Sequence, residues 1–348
     1  MAASAASHLL HEISQGASFG AAKDHEGRSV VRALKDMNVT VILCTYNRCE
    51  SLMRALRSVA LSRLPESVAW EVLVVDNNSS DQTRDGVTDF CAQYPGRLRY
   101  VFESQPGKSH ALNRGIAEAQ GEVLAFMDDD VTVESLWLHN LTAPLLSGRW
   151  AGCGGRILAD WGGFALPRWL PEKGLYNLGP LVIFDLGLEA GLLTEPPFGT
   201  NMAFRKVMFG KYGGFRTDLG PRPGSEIRGE DTEFGRRLLV AGEQLWYEPS
   251  AIVHHIVPQN RLRKQHFLNW WFDHARSHVR EFGLPPDNKV VVAGIPLHLL
   301  PRLAVWTARW VFELRPSQRF SNKLSLWTVA GQIVECYHQQ YAGKRLAR

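Results

Sequence analysis

The 348-residue chain is 45% hydrophobic, 21% charged and 10% aromatic, which supplies a sizeable core and excludes a disordered chain. Its 39 Lys and Arg against 35 Asp and Glu leave a net charge of only +4, so no strong pull toward nucleic acid is expected. That average hides a split: Lys289 to Arg348 holds nine basic and two acidic residues, and the first 288 residues sum to −3.

Residues 1–37 are polar, small and weakly periodic, and read as a lead-in with one short helix at most. They lack the basic start and apolar run of a secretory signal. Val39 to Cys44 is an apolar, β-branched run expected to be a strand buried on both faces. The turn Thr45-Tyr-Asn-Arg48 follows, and Glu50 to Leu61 carries helical spacing through Leu52, Ala55, Leu56 and Val59. Trp70 to Val75 is a second buried strand, ending in the dense turn signal Asp76-Asn-Asn-Ser-Ser-Asp81. Arg99 to Phe102 is a short strand, Ser109 to Ala119 a helix, and Glu122 to Met127 a strand that stops at three aspartates. This alternation predicts an α/β fold, a mostly parallel sheet flanked by helices. Ligands bind such sheets at the carboxyl ends of the strands, where the three polar strand ends are expected side by side.

Three consecutive carboxylates after a buried strand repel one another unless a cation neutralises them. In Asp128-Asp129-Asp130 the first and third point to one side if strand geometry persists, a fit for one hard divalent ion that also takes phosphate oxygens. The alternative is a helix cap, with Val131 to Leu141 as the helix. Asp76 suits a base N–H or a ribose hydroxyl, or else an Asx turn. Neither a G-x-G-x-x-G nor a G-x-x-x-x-G-K-[ST] pattern follows the first strands, which disfavours a dinucleotide dehydrogenase and a P-loop enzyme. The five cysteines are scattered without C-x-x-C spacing, against a disulfide framework and a zinc site and for a reducing compartment. No uncharged apolar run reaches the roughly 18 residues of a membrane-spanning helix.

Val41-Ile-Leu-Cys-Thr-Tyr-Asn-Arg48, Val74-Val-Asp-Asn-Asn-Ser-Ser-Asp81, Gly107-Lys-Ser-His-Ala-Leu-Asn-Arg-Gly115 and Phe126-Met-Asp-Asp-Asp130 resemble, in order and spacing, four signatures of the family 2 glycosyltransferases with the GT-A fold. The resemblance spans about residues 38 to 280, divided near 135 into a nucleotide-binding half and an acceptor half. It implies transfer from a nucleoside diphosphate sugar, a UDP-sugar by preference, with inversion at the anomeric carbon. Carried over by position, Thr45, Tyr46 and Arg48 would line the nucleotide pocket, and Asp76 with Asn78 would meet the uracil or ribose. Lys108, Asn113 and Arg114 would approach the base or phosphates. Asp128 and Asp130 match the D-x-D pair around Mg²⁺ or Mn²⁺, with Asp129 between them facing the donor.

Pro196 to Phe204 resembles the family's segment beside the donor sugar, and Gly229-Glu-Asp-Thr-Glu-Phe-Gly235 resembles the motif of the catalytic base. An inverting transfer needs one carboxylate within reach of the attacking hydroxyl; Asp231 matches it, with Glu230 as second choice. Both residues also suit the start of a helix. His254 or His255 is placed to complete the metal shell, and Arg261 and Arg263 to close over the diphosphate. The loose match to Q-x-x-R-W, with Gln259 and Arg263 one residue too far apart, argues for single-sugar transfer onto a saccharide or lipid-linked acceptor, as in polysaccharide biosynthesis. Residues 281–348 read as a basic helical extension. Arg302 to Arg315 is expected to turn Leu303, Trp306, Trp310 and Leu314 toward an anionic membrane surface, and Lys323 to Tyr337 repeats the pattern more weakly. The alternative is packing on the catalytic domain or on a second copy. The expected location is cytoplasmic, peripheral on the inner face of the cell membrane, with no nucleic-acid partner and self-association left open. A sugar-phosphate nucleotidyltransferase and a non-catalytic sugar-nucleotide-binding protein are the competing readings.

Overall fold

Strand β1 (Asn38–Thr45) is buried along Val39 to Leu43, as an apolar run with a neighbour on each side requires. A computed structural model describes residues 38–94, 96–164, 167, 169–170, 179–283, 291–292 and 294–345 of the chain; the lead-in expected over 1–37 lies outside them. After β1 come α1 (Cys49–Ala60), β2 (Ala69–Asp76), α2 (Thr83–Gln93), β3 (Leu98–Phe102), α3 (Lys108–Glu118) and β4 (Val123–Asp128). Helix α1 buries the four apolar positions that its spacing singled out, Leu52, Ala55, Leu56 and Val59. Each large side chain among them contributes about 1.5–3 kcal/mol of burial.

These strands pair in parallel in the order β3-β2-β1-β4. The chain steps outward from β1 to β2 and β3, then crosses back to place β4 on the other side of β1. That reversal opens a crevice between the carboxyl ends of β1 and β4, where sheets of this kind receive ligands. The register there sets Cys44 opposite Asp128.

The chain continues through β5 (Val131–Val133), α4 (Trp137–Leu146), β6 (Gly152–Asp160), β7 (Gly191–Leu192), β8 (Asn201–Arg205), α5 (Lys206–Tyr212), α6 (Glu230–Val240) and β9 (Leu245–Ile256). Strand β8 runs antiparallel to β4 and β6, and β9 is parallel to β6, so the sheet is mixed beyond β4. The helix considered over Val131 to Leu141 is not formed. Val131 to Val133 instead pairs with β9, setting Val131 opposite His255, and a helix begins only at Trp137. The three aspartates therefore bridge two strands and cap no helix.

The β6/β9 register slips between Gly155 and Arg156. A Cβ at Gly155 would overlap the Ala251 carbonyl oxygen. Asn201 clamps this bulge: its amide donates to the Arg156 and Ala251 carbonyls at 2.8 Å each, and its oxygen accepts from the Trp137 indole at 2.8 Å. Below it Phe126, Phe204, Phe209, Phe215 and Phe234 form a continuous aromatic core.

Beyond β9 lie a 3-10 turn (Gln259–Leu262), α7 (Lys264–Phe282), β10 (Val291–Val292), β11 (Ile295–Pro296), α8 (Leu299–Phe312) and α9 (Pro316–Arg345). Glu335 of α9 is buried and takes Arg280 at 2.6 Å and Arg276 at 3.2 Å, both from α7. Gly331 lets α9 lie directly on the Phe272 carbonyl. Of the face expected to meet a membrane, Leu303 and Trp306 turn inward instead, while Leu314 stays exposed. Leu303 and Trp306 pack with Val279, Val329 and Cys336, while Leu324 and Trp327 join the cluster around Phe267 and Leu268. Packing on the rest of the fold claims these residues because they complete cores that α7 alone leaves open. No helix among the described residues is long and apolar enough to cross a membrane.

Candidate active site

The crevice at the β1/β4 reversal widens into a cavity of about 460 Å³. It is walled by Thr45, Tyr46 and Arg48 after β1, Asp128 to Asp130 after β4, Lys108 of α3, Thr200 before β8, and Glu230 and Asp231 of α6. Arg261 closes it from the 3-10 turn, and Trp270 and His274 from α7.

Alternation separates the three aspartates. Asp128 accepts from Lys108 Nζ at 2.6 Å and from the Thr200 hydroxyl at 2.7 Å. Asp129 turns into the protein, where its oxygens accept from Thr45 at 2.7 Å and Arg48 at 3.1 Å. Burial pushes its carboxyl up to about 6, against the pull of Arg48. Asp130 meets Arg261 at 3.1 Å, Arg48 at 3.3 Å and His255 Nε2 at 3.6 Å. Burial alone would raise its pKa, but His255, Arg261 and Arg48 outweigh it and hold the carboxyl well below the usual range.

His255 arrives there through sheet register. Its neighbour Val131 directly follows Asp130, and the Ile256 N–H donates to the Asp130 carbonyl at 3.1 Å. His255 is fully buried, and its Nδ1 has no hydrogen-bond partner. Arg261 spans the pair, placing one nitrogen 2.7 Å from His255 Nε2 and another on Asp130. An oxygen donor and an imidazole that already converge on a guanidinium fit a divalent ion such as Mn²⁺ or Mg²⁺. Among the described residues no group of three or more His, Cys, Asp or Glu is arranged to hold a metal. The remaining ligands would have to come from a bound diphosphate and water, as is usual for Mg²⁺.

The opposite wall is the start of α6. Gly229 takes φ +95, and Glu230 and Asp231 occupy the first turn, where the helix dipole favours carboxylates. Asp231 accepts from the Gly199 N–H at 2.5 Å and the Thr232 N–H at 2.7 Å, which fixes its direction into the cavity. Glu230 is buried beside it, 3.7 Å from Lys108 Nζ. Burial and the Asp231 charge push Glu230 up to about 7, with Lys108 opposing them. Lys108 thus reaches both walls. Burial works against its charge, but Asp128, Glu230 and Asp231 prevail and raise its pKa. A third wall is aromatic: the Trp270 and His274 rings stack at 4.7 Å, one helical turn apart, and the Arg228 guanidinium lies 5.6 Å from the Trp270 ring. Burial lowers His274 to about 4, so that it is neutral at pH 7.

The cavity gathers ten of the residues singled out from sequence: Thr45, Tyr46, Arg48, Lys108, Asp128, Asp129, Asp130, Glu230, Asp231 and Arg261. His255 stands directly behind Asp130. Six others do not line it. Asp76 is buried, and its oxygens accept from the Ser79 N–H and the Tyr100 hydroxyl, so the Asx-type turn holds it. Asn78 serves the same turn with φ +66. Asn113 clamps the Phe215 backbone through both ends of its amide. Arg114 pairs with Glu118 along α3, and Arg263 is exposed ahead of α7. His254 points to the other face of β9, 3.2 Å from Glu134, because successive strand residues alternate. Sequence reasoning passed over Arg228, Trp270 and His274, and gave Gly199 and Thr200 no role of their own. Thr200 sits in the Pro196–Phe204 segment that resemblance had marked, whereas Trp270 and His274 look like two more residues of an amphipathic helix.

A sequence model described as glycosyl transferase family 2 matches residues 40–211. Succinoglycan biosynthesis protein ExoM of Rhizobium meliloti is 28% identical over 248 residues, covering 70% of this chain and 75% of that protein. Glucosyl-dolichyl phosphate glucuronosyltransferase of Haloferax volcanii is 26% identical over 224 residues, covering 63% and 69%. Among solved structures, the mannosyltransferase PcManGT of Pyrobaculum calidifontis, in complex with GDP-Man and Mn²⁺, superposes with a TM-score of 0.58 at 18% identity, over 95% of this chain and 93% of that one. GalNAc-T7 with UDP, GalNAc and Mn²⁺ superposes with a TM-score of 0.51 at 18% identity, over 72% and 52%.

Proposed function

The chain belongs to glycosyltransferase family 2 and has the GT-A fold, and we propose that it moves a sugar from a UDP-sugar to an acceptor hydroxyl by a single inverting displacement. The observation that carries this reading is the placement of Asp231 across one cavity from Asp128 and Asp130. A proton acceptor and a diphosphate cradle thereby face the same small volume.

In this reading the acceptor oxygen attacks the anomeric carbon from the Asp231 side, and its proton passes to the Asp231 carboxylate. The bond to the diphosphate breaks, and negative charge grows on the leaving oxygens. Arg48 and Lys108 stand beside that charge as fixed cations, which costs no reorganisation at the moment of reaction, whereas Arg261, which spans Asp130 and His255, would swing off that pair when a metal binds. Asp130 and His255 would hold Mn²⁺ or Mg²⁺, which when bound adds charge neutralisation at the diphosphate. The Gly199 and Thr232 N–H groups fix the aim of Asp231, leaving no rotamer search for the base. Both superposed structures are complexes with Mn²⁺ and a nucleotide or nucleotide sugar, which supports a metal-assisted donor. The Trp270 and His274 wall suits the apolar face of an acceptor sugar. A lipid-linked saccharide fits a protein whose last sixty residues are basic, and it would bring the enzyme to a membrane surface.

Thermal shift with a panel of nucleotide sugars, with and without Mn²⁺, tests the reading. The expected outcome is a metal-dependent rise in Tm with one UDP-sugar. No shift with any of them would refute it, and a shift only with a GDP-sugar would replace the donor while keeping the reaction.

A further inference from the structure

Helix α8 is apolar on two opposite faces. At 100° per residue, Leu299, Leu303 and Trp306 share the side packed on α7 and α9. Leu300, Val305, Val311 and Phe312 fall on the other side and are bare among the described residues: Phe312 is 80% exposed, and Leu314 just beyond it 91%. A helix with only one packed face ordinarily turns polar residues outward, and contiguous bare apolar surface on a protein marks a contact. Arg302 and Arg309 line one edge of the bare face, next to Val305 and Phe312, and both are exposed, with the Arg309 guanidinium 4.9 Å from the Trp306 ring. The only acidic residue on or next to α8 is Glu313, and it is already hydrogen-bonded to Arg315. A second copy packed on this face about a two-fold axis would set arginine against arginine. A negatively charged, apolar-backed surface meets no such conflict.

We propose that the outer face of α8 seats the protein flat on an anionic bilayer, with its aliphatic side chains at the acyl boundary and Arg302 and Arg309 among the lipid phosphates. At 14 residues the helix is about 21 Å long and lies in the interface without spanning it. This deepens the reading of a lipid-linked acceptor, whose hydroxyl would then reach the cavity from the surface on which the enzyme sits.

The test is co-sedimentation of the full chain with vesicles of phosphatidylcholine, alone or with about one-third phosphatidylglycerol, at about 0.1 and about 0.5 M NaCl. Binding is expected on the anionic vesicles at low salt, with little on the neutral ones. Val305→Glu together with Phe312→Glu is expected to lower partitioning at least about tenfold with an unchanged Tm, whereas Val240→Glu, on an exposed position of α6, leaves it intact. Failure of the parent to bind, or equal binding by the α8 variant, overturns the proposal. So does a concentration-dependent dimer in size-exclusion chromatography that the α8 variant dissolves, since the face would then belong to a second copy. Transfer to a soluble saccharide in the absence of vesicles is read in parallel. Its loss falls on the proposed reaction, and its survival without vesicle binding falls on this surface alone.

Discussion

Replacing Glu230 with Gln should make the protein's stability less dependent on pH between pH 5 and pH 8. Glu230 is 2% exposed, beside Asp231 and 3.7 Å from Lys108, and its pKa is pushed up from 4.5 to about 7 by burial and by the Asp231 charge. Between those values the folded chain keeps a proton that the unfolded chain releases. The stability this group contributes is therefore complete below pH 4.5 and is lost as pH rises through 7. A displacement of about 2.5 units at 1.36 kcal/mol each sets an upper bound of about 3 kcal/mol between pH 4.5 and pH 8. Glutamine keeps the shape and carries no titrating proton. In urea titrations from pH 5 to pH 8, ΔG of the variant minus that of the parent should climb by as much as about 2.5 kcal/mol. Asp129, also raised by burial, titrates in both proteins and cancels from the difference. A difference that stays flat across this range would refute the claim that Glu230 is held protonated by its surroundings.

Other residues give sharper tests of the parts. Asp130→Asn should weaken UDP binding at least about tenfold in Mn²⁺ and by far less in EDTA, measured by calorimetry, and an equal loss in both would remove Asp130 from the metal. Trp270→Ala should lower kcat/KM for the acceptor about tenfold while leaving the KM of the donor unchanged; an effect on the donor instead would move this wall to the nucleotide side. Gly331→Ala forces a methyl group against the Phe272 carbonyl and should cost about 1–3 kcal/mol in urea unfolding, whereas a neutral result would contradict the close seating of α9 on α7.

The first ninety residues of the fold were legible because β1, β2 and β4 are buried on both faces and write that fact as unbroken apolar runs. Val131 to Val133 was not legible, since three residues fit a helix or a strand equally and the partner strand lies more than a hundred residues on. The same long-range pairing decides between His254 and His255. Adjacent histidines look alike in sequence, and only the register with Val131 turns one to Asp130 and the other to Glu134. Residue type marked the strand ends as a site but did not give side-chain direction, which is why Asp76 and Asn113 proved to brace loops beside the cavity. The tail shows a related limit. Helix α8 is apolar on two faces, and sequence ranks the Trp-bearing face higher although that face is the one packed inside.

The most direct test of the central claim is the Asp231→Asn variant, assayed for donor binding and for transfer in the same preparation. Metal-dependent UDP-sugar affinity should match the parent, while transfer falls by about 10²–10⁴-fold. Transfer at the parent rate would remove Asp231 as the base, and loss of donor binding would show that it holds the donor instead.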